Sequence, residues 1–256
     1  MIDARAVVDP SARLDEGVEV GPFAIIGPDV QIGAGTRIGP HAFIKGPTRI
    51  GCDNRIFQFA SVGDDPQDKK YSGERTWLEI GDRNVIREYC TINRGTVQDG
   101  GVTRIGDDNW IMAYVHIAHD CQVGSHTIFA NNASLAGHVR IEDYAILGGF
   151  TLVHQFCSIG AHSFTGFASG ISKDIPPFLM VSGNPARPHG LNTEGLKRRG
   201  FTTVERESLR KAYKTLYRCG LTLDQALNDL RQQAETSPVV ATLVTFIENR
   251  TRGIVR

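Results

Sequence analysis

The sequence predicts a mainly β fold, a parallel β-helix built from six-residue repeats, followed by a small α-helical domain. Three observations support this prediction. An apolar residue recurs at every sixth position over most of the chain, glycine often follows it directly, and the pattern ends after residue 171. Neither an α-helix, with a period of about 3.6 residues, nor a single strand, with a period of about two, produces this spacing. Internal repeats of this length are typical of β-solenoids.

The repeat predicts which residues face the interior. Three units close one coil of about 18 residues, and coils stack through parallel ladders about 4.8 Å apart. Parallel crossovers are usually right-handed, so the left hand expected here rests on resemblance to other hexapeptide proteins. The predicted inward positions, with a one-residue shift after Ile92 and with Thr165 as the polar exception, are Ile2, Val8, Leu14, Val20, Ile26, Ile32, Ile38, Ile44, Ile50, Ile56, Val62, Ile80, Ile86, Ile92, Ile105, Ile111, Ile117, Val123, Phe129, Leu135, Ile141, Leu147, Val153, Ile159, Thr165 and Ile171.

Two interruptions of the repeat predict external loops. Residues 64–77 (DDPQDKKYSGERTW) are polar and charged, and residues 94–103 (RGTVQDGGVT) are rich in glycine. Loops on a rigid scaffold often carry binding groups. Each loop is therefore either a substrate-binding element or a tolerated surface insertion.

The chain after the repeat predicts a separate helical domain over residues 192–256, with the β-helix over residues 1–191. Apolar spacing in this part fits amphipathic helices. Helix-start and helix-stop signals divide it, namely Thr202 with Glu205, Thr222 with Gln225, Ser237 with Pro238, Gly200 and Gly220.

Charge and composition limit the partners. The formal net charge is zero, but residues 197–218 hold many more lysines and arginines than glutamates. Such a surface is a solvated helix face, a phosphate site or a docking site for an acidic protein. No nucleic-acid-recognition motif and no interleaved aromatic residues accompany this surface, which argues against a nucleic acid as its partner.

Cysteine usage and hydropathy predict the compartment. The five cysteines form no CxxC pair, as expected for thiols in a reducing environment. The repeat begins at Ile2, and no signal peptide or apolar span is evident. We expect a cytoplasmic protein without stable membrane insertion.

Histidines cluster in the second half of the predicted β-helix. Residues 18 apart stack in one column, which places His119, Gly137 and Gln155 together on the outside of the coils. The same arithmetic stacks Asp120 under His138. A histidine, a carboxylate and a glycine amide are therefore expected at one outer edge.

Three interpretations of this cluster stay open from the residues alone. The histidines could be ordinary surface residues. His116 and His119 could form a zinc ligand pair, although three residues along an extended segment would point them to opposite faces. Alternatively, His119 could act as a general base while Gly137 allows close approach of a reacting carbonyl.

Seven segments, in order along the chain, resemble one family of enzymes. They are QDKKY (67–71), IREYCTINRGT (86–96), HIAHDC (116–121), NNASLAGHV (131–139), LVHQFCSIGAH (152–162), GNPA (183–186) and NTEGLKRRGF (192–201). GNPA and the repeats occur in many acyltransferases, whereas HIAHDC, LAGHV, VHQF and EGLKRRGF in this order are specific. The sequence is similar to the UDP-N-acetylglucosamine O-acyltransferases over essentially its whole length.

The resemblance implies the first step of lipid A synthesis. It implies transfer of an (R)-3-hydroxyacyl chain from acyl carrier protein to the 3-position of UDP-N-acetylglucosamine, in a homotrimer with active sites between the β-helices and without a metal or other cofactor. His119 then resembles the general base, Asp120 the residue that orients it, and Gly137 the oxyanion donor. Acyl carrier protein is acidic, which suits the basic helix. Residues that resemble substrate contacts are Asp68, Lys70, His116, His138, Gln155, Asn192, Glu194, Arg198 and Arg199.

Three positions depart from the family pattern. Asn93 stands where a histidine is usual, so a 3-amino analogue of the sugar is an alternative acceptor. Lys69 replaces an apolar residue, with no evident effect. Phe167 resembles the end of the acyl groove, where a phenyl ring would favour a shorter chain of about ten rather than about fourteen carbons.

Other functions compete with this interpretation. The related N-acyltransferase usually carries an extra N-terminal uridine-binding domain, whereas this repeat begins at Ile2. A coenzyme A-dependent acetyltransferase would not need the EGLKRRGF segment. A zinc hydratase or a non-catalytic scaffold would share the fold, and fold alone does not imply function.

Overall fold

A computed structural model describes residues 1–249 and 252–256. Residues 250 and 251, inside the predicted helical domain, lie outside this description. The first part of the chain is a parallel β-helix with three faces, each a sheet whose strands come from successive coils. The predicted mainly β fold is confirmed. In the described part of the chain, no helix is long and apolar enough to cross a membrane.

The three faces alternate along the chain. The first face consists of Val7–Val8, Ile25–Ile26, Phe43–Ile44, Ser61–Asp64, Thr91–Asn93, His116–Ile117, Ser134–Leu135, Leu152–Val153 and Gly170–Ile171. The second consists of Arg13–Leu14, Val30–Ile32, Thr48–Ile50, Trp77–Ile80, Val102–Ile105, Gln122–Val123, Arg140–Ile141 and Ser158–Ile159. The third consists of Glu19–Val20, Arg37–Ile38, Arg55–Ile56, Val85–Ile86, Trp110–Ile111, Ile128–Phe129, Ile146–Leu147, Phe164–Thr165, Leu179–Ser182 and Arg187–Leu191. Arg187–Leu191 pairs with Leu179–Ser182 in the antiparallel direction.

The sixth-position side chains form the core of the prism. From Val20 onward they are buried, whereas Ile2 is 50% exposed because no coil covers that end. Thr165, the polar exception, is also fully buried. Its hydroxyl lies 2.8 Å from that of Thr151 and accepts a bond of 3.0 Å from the Gly148 N–H, so burial leaves no unpaired polar atom there.

Ladder register measures the size of the two insertions. Val7 pairs with Ile25, a separation of 18 residues. Ile50 pairs with Ile80, a separation of 30, so the first loop adds 30 − 18 = 12 residues. Ile80 pairs with Ile105, a separation of 25, so the second loop adds 25 − 18 = 7 residues. The second loop contains a short 3-10 helix, Val97–Asp99.

The prism has three corners, where residues with positive φ turn the chain between faces. We name each corner after the faces that it joins. The first–second corner includes Asp120, His138 and Phe156; the second–third corner includes His126, Tyr144 and His162; the third–first corner includes Tyr114, Asn132 and Phe150.

Within the residues that the structure describes, four helices follow the strand Arg187–Leu191. They are α1 (Thr193–Arg198), α2 (Thr203–Arg218), α3 (Leu223–Ala234) and α4 (Pro238–Glu248). Both α2 and α3 begin with a capping box, in which the threonine and the residue three positions later satisfy each other's backbone N–H groups. The helices share a second apolar core, and the Val255 N–H donates to the Asp174 carbonyl at 2.9 Å, which returns the chain end to the prism.

A buried ladder of asparagines crosses the coils that carry the loops. The Asn54 side-chain oxygen accepts from the backbone and side-chain nitrogens of Asn84 at 2.9 and 3.0 Å. The Asn84 oxygen in turn accepts from the Asn109 N–H at 2.9 Å, and the Asn109 oxygen accepts from the Thr127 N–H at 2.8 Å. Because these bonds join successive coils, the ladder holds their register on both sides of the insertions.

We expect Asn84→Ala to lower the free energy of unfolding by about 2–4 kcal/mol, because it removes the side-chain oxygen that accepts from the buried Asn109 N–H and the side-chain amide that donates to the Gly106 carbonyl. Urea unfolding followed by circular dichroism measures this loss. Asn228→Ala, on the exposed face of α3, is the matched control and should change stability by less than about 0.5 kcal/mol. Equal losses in the two variants would contradict a stabilising role for the ladder.

Candidate active site

His119 and Asp120 form a hydrogen-bonded pair at the first–second corner. The His119 Nδ1 lies 2.8 Å from Asp120 Oδ2, and the Asp120 side chain is completely buried. Burial opposes ionisation of Asp120, but the hydrogen bonds from His119 and Thr96 outweigh it and lower the pKa of the carboxyl. A carboxylate in this position orients the imidazole and determines which ring nitrogen carries the proton.

The second loop donates two hydrogen bonds to the Asp120 carboxylate. The Thr96 N–H donates to Oδ1 at 2.7 Å, and the Thr96 hydroxyl donates to Oδ2 at 2.6 Å. Asp120 donates its own N–H to the Thr103 hydroxyl at 2.8 Å. The pattern in the sequence did not point to either threonine, because both lie in the segment that interrupts the repeat.

Gly137 lies directly against the His119 ring. A Cβ built on Gly137 would lie 2.5 Å from His119 Cε1 and 2.7 Å from Nε2, so only glycine fits beneath this ring. The residue after it, His138, donates its N–H to the His119 carbonyl at 3.0 Å. Gln155, one coil further, is exposed at the same corner. The structure therefore places the predicted column of His119, Gly137 and Gln155 on successive coils.

His138 is held beside the pair. Its Nδ1 lies 2.8 Å from Asp99 Oδ2 and 3.8 Å from Asp120 Oδ2. Its ring stacks on Phe156 at 4.5 Å and meets the His119 ring edge-on at 5.0 Å. A cleft of about 680 Å³ between His138, Phe156 and α4 opens next to this group.

His116 lies on the strand that leads to the pair. Its Nδ1 is 2.7 Å from the Thr91 hydroxyl, and burial together with the charge of His119 lowers the pKa of His116. The expectation that His116 and His119 point to opposite faces is wrong. The strand ends at Ile117 and His119 lies in the following turn, so both rings are outside the core.

Three side chains at this corner could hold a cation. One ligand atom each from His119, Asp120 and His138 lies within 4.8 Å of the others. The set differs from the HxxH pair considered from the sequence. A bound ion would compete for Asp120 Oδ2, which already accepts hydrogen bonds from Thr96 and His119.

The first loop starts and ends at the first–second corner, where His119 and His138 lie. It carries Asp68, whose Oδ1 accepts from the Lys70 N–H at 3.0 Å, and the side chains of Lys69 and Lys70 are exposed. The base of this loop is held by Arg94, which sequence reasoning missed. The Arg94 side chain is 5% exposed, and its guanidinium donates to the Gly63 carbonyl at 2.6 Å and also binds the Asp65 carboxylate.

Asn93 also supports the first loop. It is 4% exposed, and its side-chain N–H donates to the Asp65 carbonyl at 2.8 Å. Among the described residues, its buried side-chain oxygen has no hydrogen-bond partner. The residue that departs from the family pattern therefore presents one free acceptor close to the first–second corner.

The residues of α1 lie at a different corner. Asn192 caps the helix, accepting from the Gly195 N–H at 3.2 Å and donating to the His162 carbonyl at 2.9 Å. Arg199 lies over the Tyr144 ring at 4.2 Å, while Glu194 and Arg198 are exposed. These contacts place α1 at the second–third corner. Within one chain, the polar residues of α1 therefore lie at a different corner from His119.

Phe167 lies near the third–first corner. It is 72% exposed, and its ring meets that of Phe150 edge-on at 5.7 Å. Further along this corner, half-exposed rings stack from coil to coil, including Phe59, Tyr89 and Tyr114. The predicted catalytic residues, the nucleotide-binding residues of α1 and the predicted acyl-chain residue thus lie at three different corners of one prism.

Comparison with family models agrees with this architecture. Residues 11–46 and 103–137 match the bacterial transferase hexapeptide model of six repeats. Residues 174–255 match the model described as UDP N-acetylglucosamine O-acyltransferase, domain 2. The second match begins at the end of the prism and extends through the helical domain.

Similar proteins cover the whole chain. An acyl-[acyl-carrier-protein]–UDP-N-acetylglucosamine O-acyltransferase of Thiobacillus denitrificans is 65% identical, over 100% of this chain and 99% of its own length. The solved UDP-N-acetylglucosamine acyltransferase of Francisella novicida is 46% identical with a TM-score of 0.98, over 100% of this chain and 94% of that one. The Moraxella catarrhalis enzyme is 48% identical with a TM-score of 0.97, over 100% and 99%. The expected left hand of the β-helix is confirmed, and the chain belongs to the UDP-N-acetylglucosamine O-acyltransferase family.

Proposed function

We propose that this enzyme transfers an (R)-3-hydroxyacyl chain from acyl carrier protein to the 3-hydroxyl of UDP-N-acetylglucosamine, the first step of lipid A synthesis. The observation that carries the proposal is the His119–Asp120 pair seated on Gly137. The names of two similar enzymes give acyl-[acyl-carrier-protein] as the donor and UDP-N-acetylglucosamine as the acceptor. The experiment that tests it is an acyl-transfer assay on the purified chain.

His119 acts as the general base. With Nδ1–H donated to Asp120, the imidazole Nε2 is left as the proton acceptor. It takes the proton of the sugar 3-hydroxyl as that oxygen attacks the thioester carbonyl. The C–O bond forms, the C–S bond breaks, and the proton passes from the imidazolium to the departing sulfur, which leaves a free thiol.

Gly137 stabilises the oxyanion through its backbone N–H. Within residues 1–249 and 252–256 this N–H has no hydrogen-bond acceptor, and the glycine lies in contact with the His119 ring. A donor aimed at the developing negative charge is often the largest contribution to acyl-transfer catalysis. No metal or other cofactor has a role in this mechanism.

The remaining family positions bind the substrates. At the first–second corner, His116, His138 and Gln155 position the substrate. Asp68 and Lys70, from the first loop, contact the sugar nucleotide. The other contacts, with the nucleotide and its phosphates, come from α1, namely Asn192, Glu194, Arg198 and Arg199. Arginine pairs well with phosphate because its planar group donates two parallel hydrogen bonds.

A homotrimer brings these groups together. In one chain the α1 residues lie at the second–third corner and Phe167 near the third–first corner, whereas His119 lies at the first–second corner. A neighbouring prism packed alongside can present its other corners to His119. The half-exposed rings of the third–first corner supply the apolar surface that such packing would cover.

Acyl carrier protein docks on the basic helix in the cytoplasm. Lys211, Lys214 and Arg218 of α2 are exposed, while Arg210 pairs with Glu207. An acidic protein partner complements this surface and is attracted to it at long range. The donor would then deliver its thioester to the neighbouring cleft.

A second candidate acceptor is the 3-amino analogue of the UDP-sugar. The observation that favours it is the unpaired, buried side-chain oxygen of Asn93, because a 3-amino group keeps an N–H to donate after acylation, whereas a 3-hydroxyl loses its only hydrogen.

An assay with both sugars decides between the two acceptors. We expect the purified protein to have the higher kcat/KM with UDP-N-acetylglucosamine when the two sugars are compared with the same acyl carrier protein. Mass spectrometry of the product distinguishes an ester from an amide. A higher kcat/KM with the amino analogue would replace the proposed acceptor by the second candidate, and transfer to neither sugar would refute both.

We expect His119→Ala to lower kcat by about 10²–10⁴-fold, because a general base contributes about that much to catalysis. The oligomeric state, measured by light scattering, should not change. His189→Ala, at an exposed position on the third face, is the matched control and should keep the wild-type rate. Near-wild-type turnover of His119→Ala would remove this residue from the mechanism.

We expect the enzyme to prefer acyl chains of about ten carbons, because the Phe167 ring fills the end of the acyl groove. Phe167→Gly should shift the preference toward about fourteen carbons, measured as kcat/KM with donors of different chain length. Phe23→Gly is the matched control, since Phe23 is a half-exposed ring near the opposite end of the same corner. An unchanged preference in Phe167→Gly would show that this ring does not limit chain length.

A further inference from the structure

Thr96 of the second loop makes short, buried hydrogen bonds to Asp120 of the catalytic pair. These bonds take no part in the proton transfer proposed above. Thr96 is 1% exposed, and both its N–H and its hydroxyl donate to the Asp120 carboxylate. The two bonds reach different oxygens, at 2.7 and 2.6 Å, so they fix the plane of the carboxylate as well as its position.

The Thr96 hydroxyl and the His119 ring share one oxygen. Asp120 Oδ2 accepts from Thr96 Oγ1 at 2.6 Å and from His119 Nδ1 at 2.8 Å. Because the hydroxyl holds this oxygen, it determines the direction in which Nδ1–H points and hence the direction in which Nε2 faces. A displacement of about 1 Å in a reacting group can lower a rate about 10²-fold.

His138 does not compete with His119 for Asp120 Oδ2. His138 Nδ1 is the nearest competing donor, but it lies 3.8 Å from Asp120 Oδ2 and pairs with Asp99 at 2.8 Å instead. Asp99 and Thr96 belong to the same loop: Thr96 precedes its 3-10 helix and Asp99 is the last residue of that helix. The second loop thus directs each histidine to its own carboxylate.

We infer that Thr96 is a positioning residue for the acyl transfer, acting through Asp120 on the orientation of His119. This inference rests on the proposed role of His119 as the base. It gives the second loop a function in catalysis without any contact between Thr96 and substrate.

The test is Thr96→Val, which keeps the shape of the side chain and the backbone N–H but removes the hydroxyl. We expect kcat to fall by about ten- to hundredfold with little change in KM for UDP-N-acetylglucosamine, because binding groups stay in place while the base is misdirected. Thr96→Ser, which restores the hydroxyl, should recover most of the lost rate and also provides a folded comparison if the valine variant is unstable.

Thr76→Val is the matched control. Thr76 is also completely buried, at the end of the first loop, but in the described part of the chain its hydroxyl has no hydrogen-bond partner. The same chemical change at this position should leave kcat within about twofold of the wild type, since no bond to the active site is lost. Equal losses of kcat in Thr76→Val and Thr96→Val would attribute both to packing and overturn the inference.

A double-mutant cycle separates positioning from a general structural effect. In an Asp120→Asn background, Thr96→Val should lower kcat by less than about twofold, because the route through Asp120 is already broken. The full ten- to hundredfold loss in that background would overturn the inference. Wild-type kcat of Thr96→Val with an inactive His119→Ala would overturn it alone, whereas an active His119→Ala would refute the proposed base itself.

Discussion

The stacking of one coil on the next is the constraint on which the rest of the molecule depends. An inward side chain is covered only when the neighbouring coil repeats its position, as the 50% exposure of Ile2 at the open end shows. The chain can therefore leave the repeat only where leaving does not disturb the ladders. Both insertions depart between a first-face and a second-face strand, at the corner where His119 lies. Repetition inside the prism thus concentrates irregular chemistry at its corners.

The polar groups that depart from the repeat are satisfied in two different ways. Asparagines 54, 84 and 109 bond to one another through the turns and hold the coils in register. Asp120 and Arg94 instead bond to the loops, so that the buried ends of these side chains hold the segments that carry function. Breaking any of these bonds would leave a buried polar group unpaired, which is destabilising. Both arrangements are therefore rigid. Asn93 keeps one acceptor unpaired among the described residues, beside the proposed acceptor site.

Much of the fold could be predicted from the sequence because it depends on local periodicity. The inward residues, the two loops and the capping boxes of α2 and α3 all follow from spacing within a few residues. The 18-residue column also placed His119 against Gly137, since no insertion lies between them. By contrast, the contacts of Thr96 and Arg94 cross insertions, so their partners depend on loop conformation and not on arithmetic. The argument on His116 and His119 failed because a turn begins between them.

The two insertions also have a consequence for how such a protein can change over evolutionary time. Closing a chain segment costs conformational entropy that grows only with the logarithm of its length. Lengthening the ladder separation from 18 to 30 residues, as between Ile50 and Ile80, therefore costs about 0.5 kcal/mol. One additional buried hydrogen bond at the base of the loop recovers that amount. A lineage can thus lengthen, shorten or replace its substrate loops while the prism beneath them keeps its register.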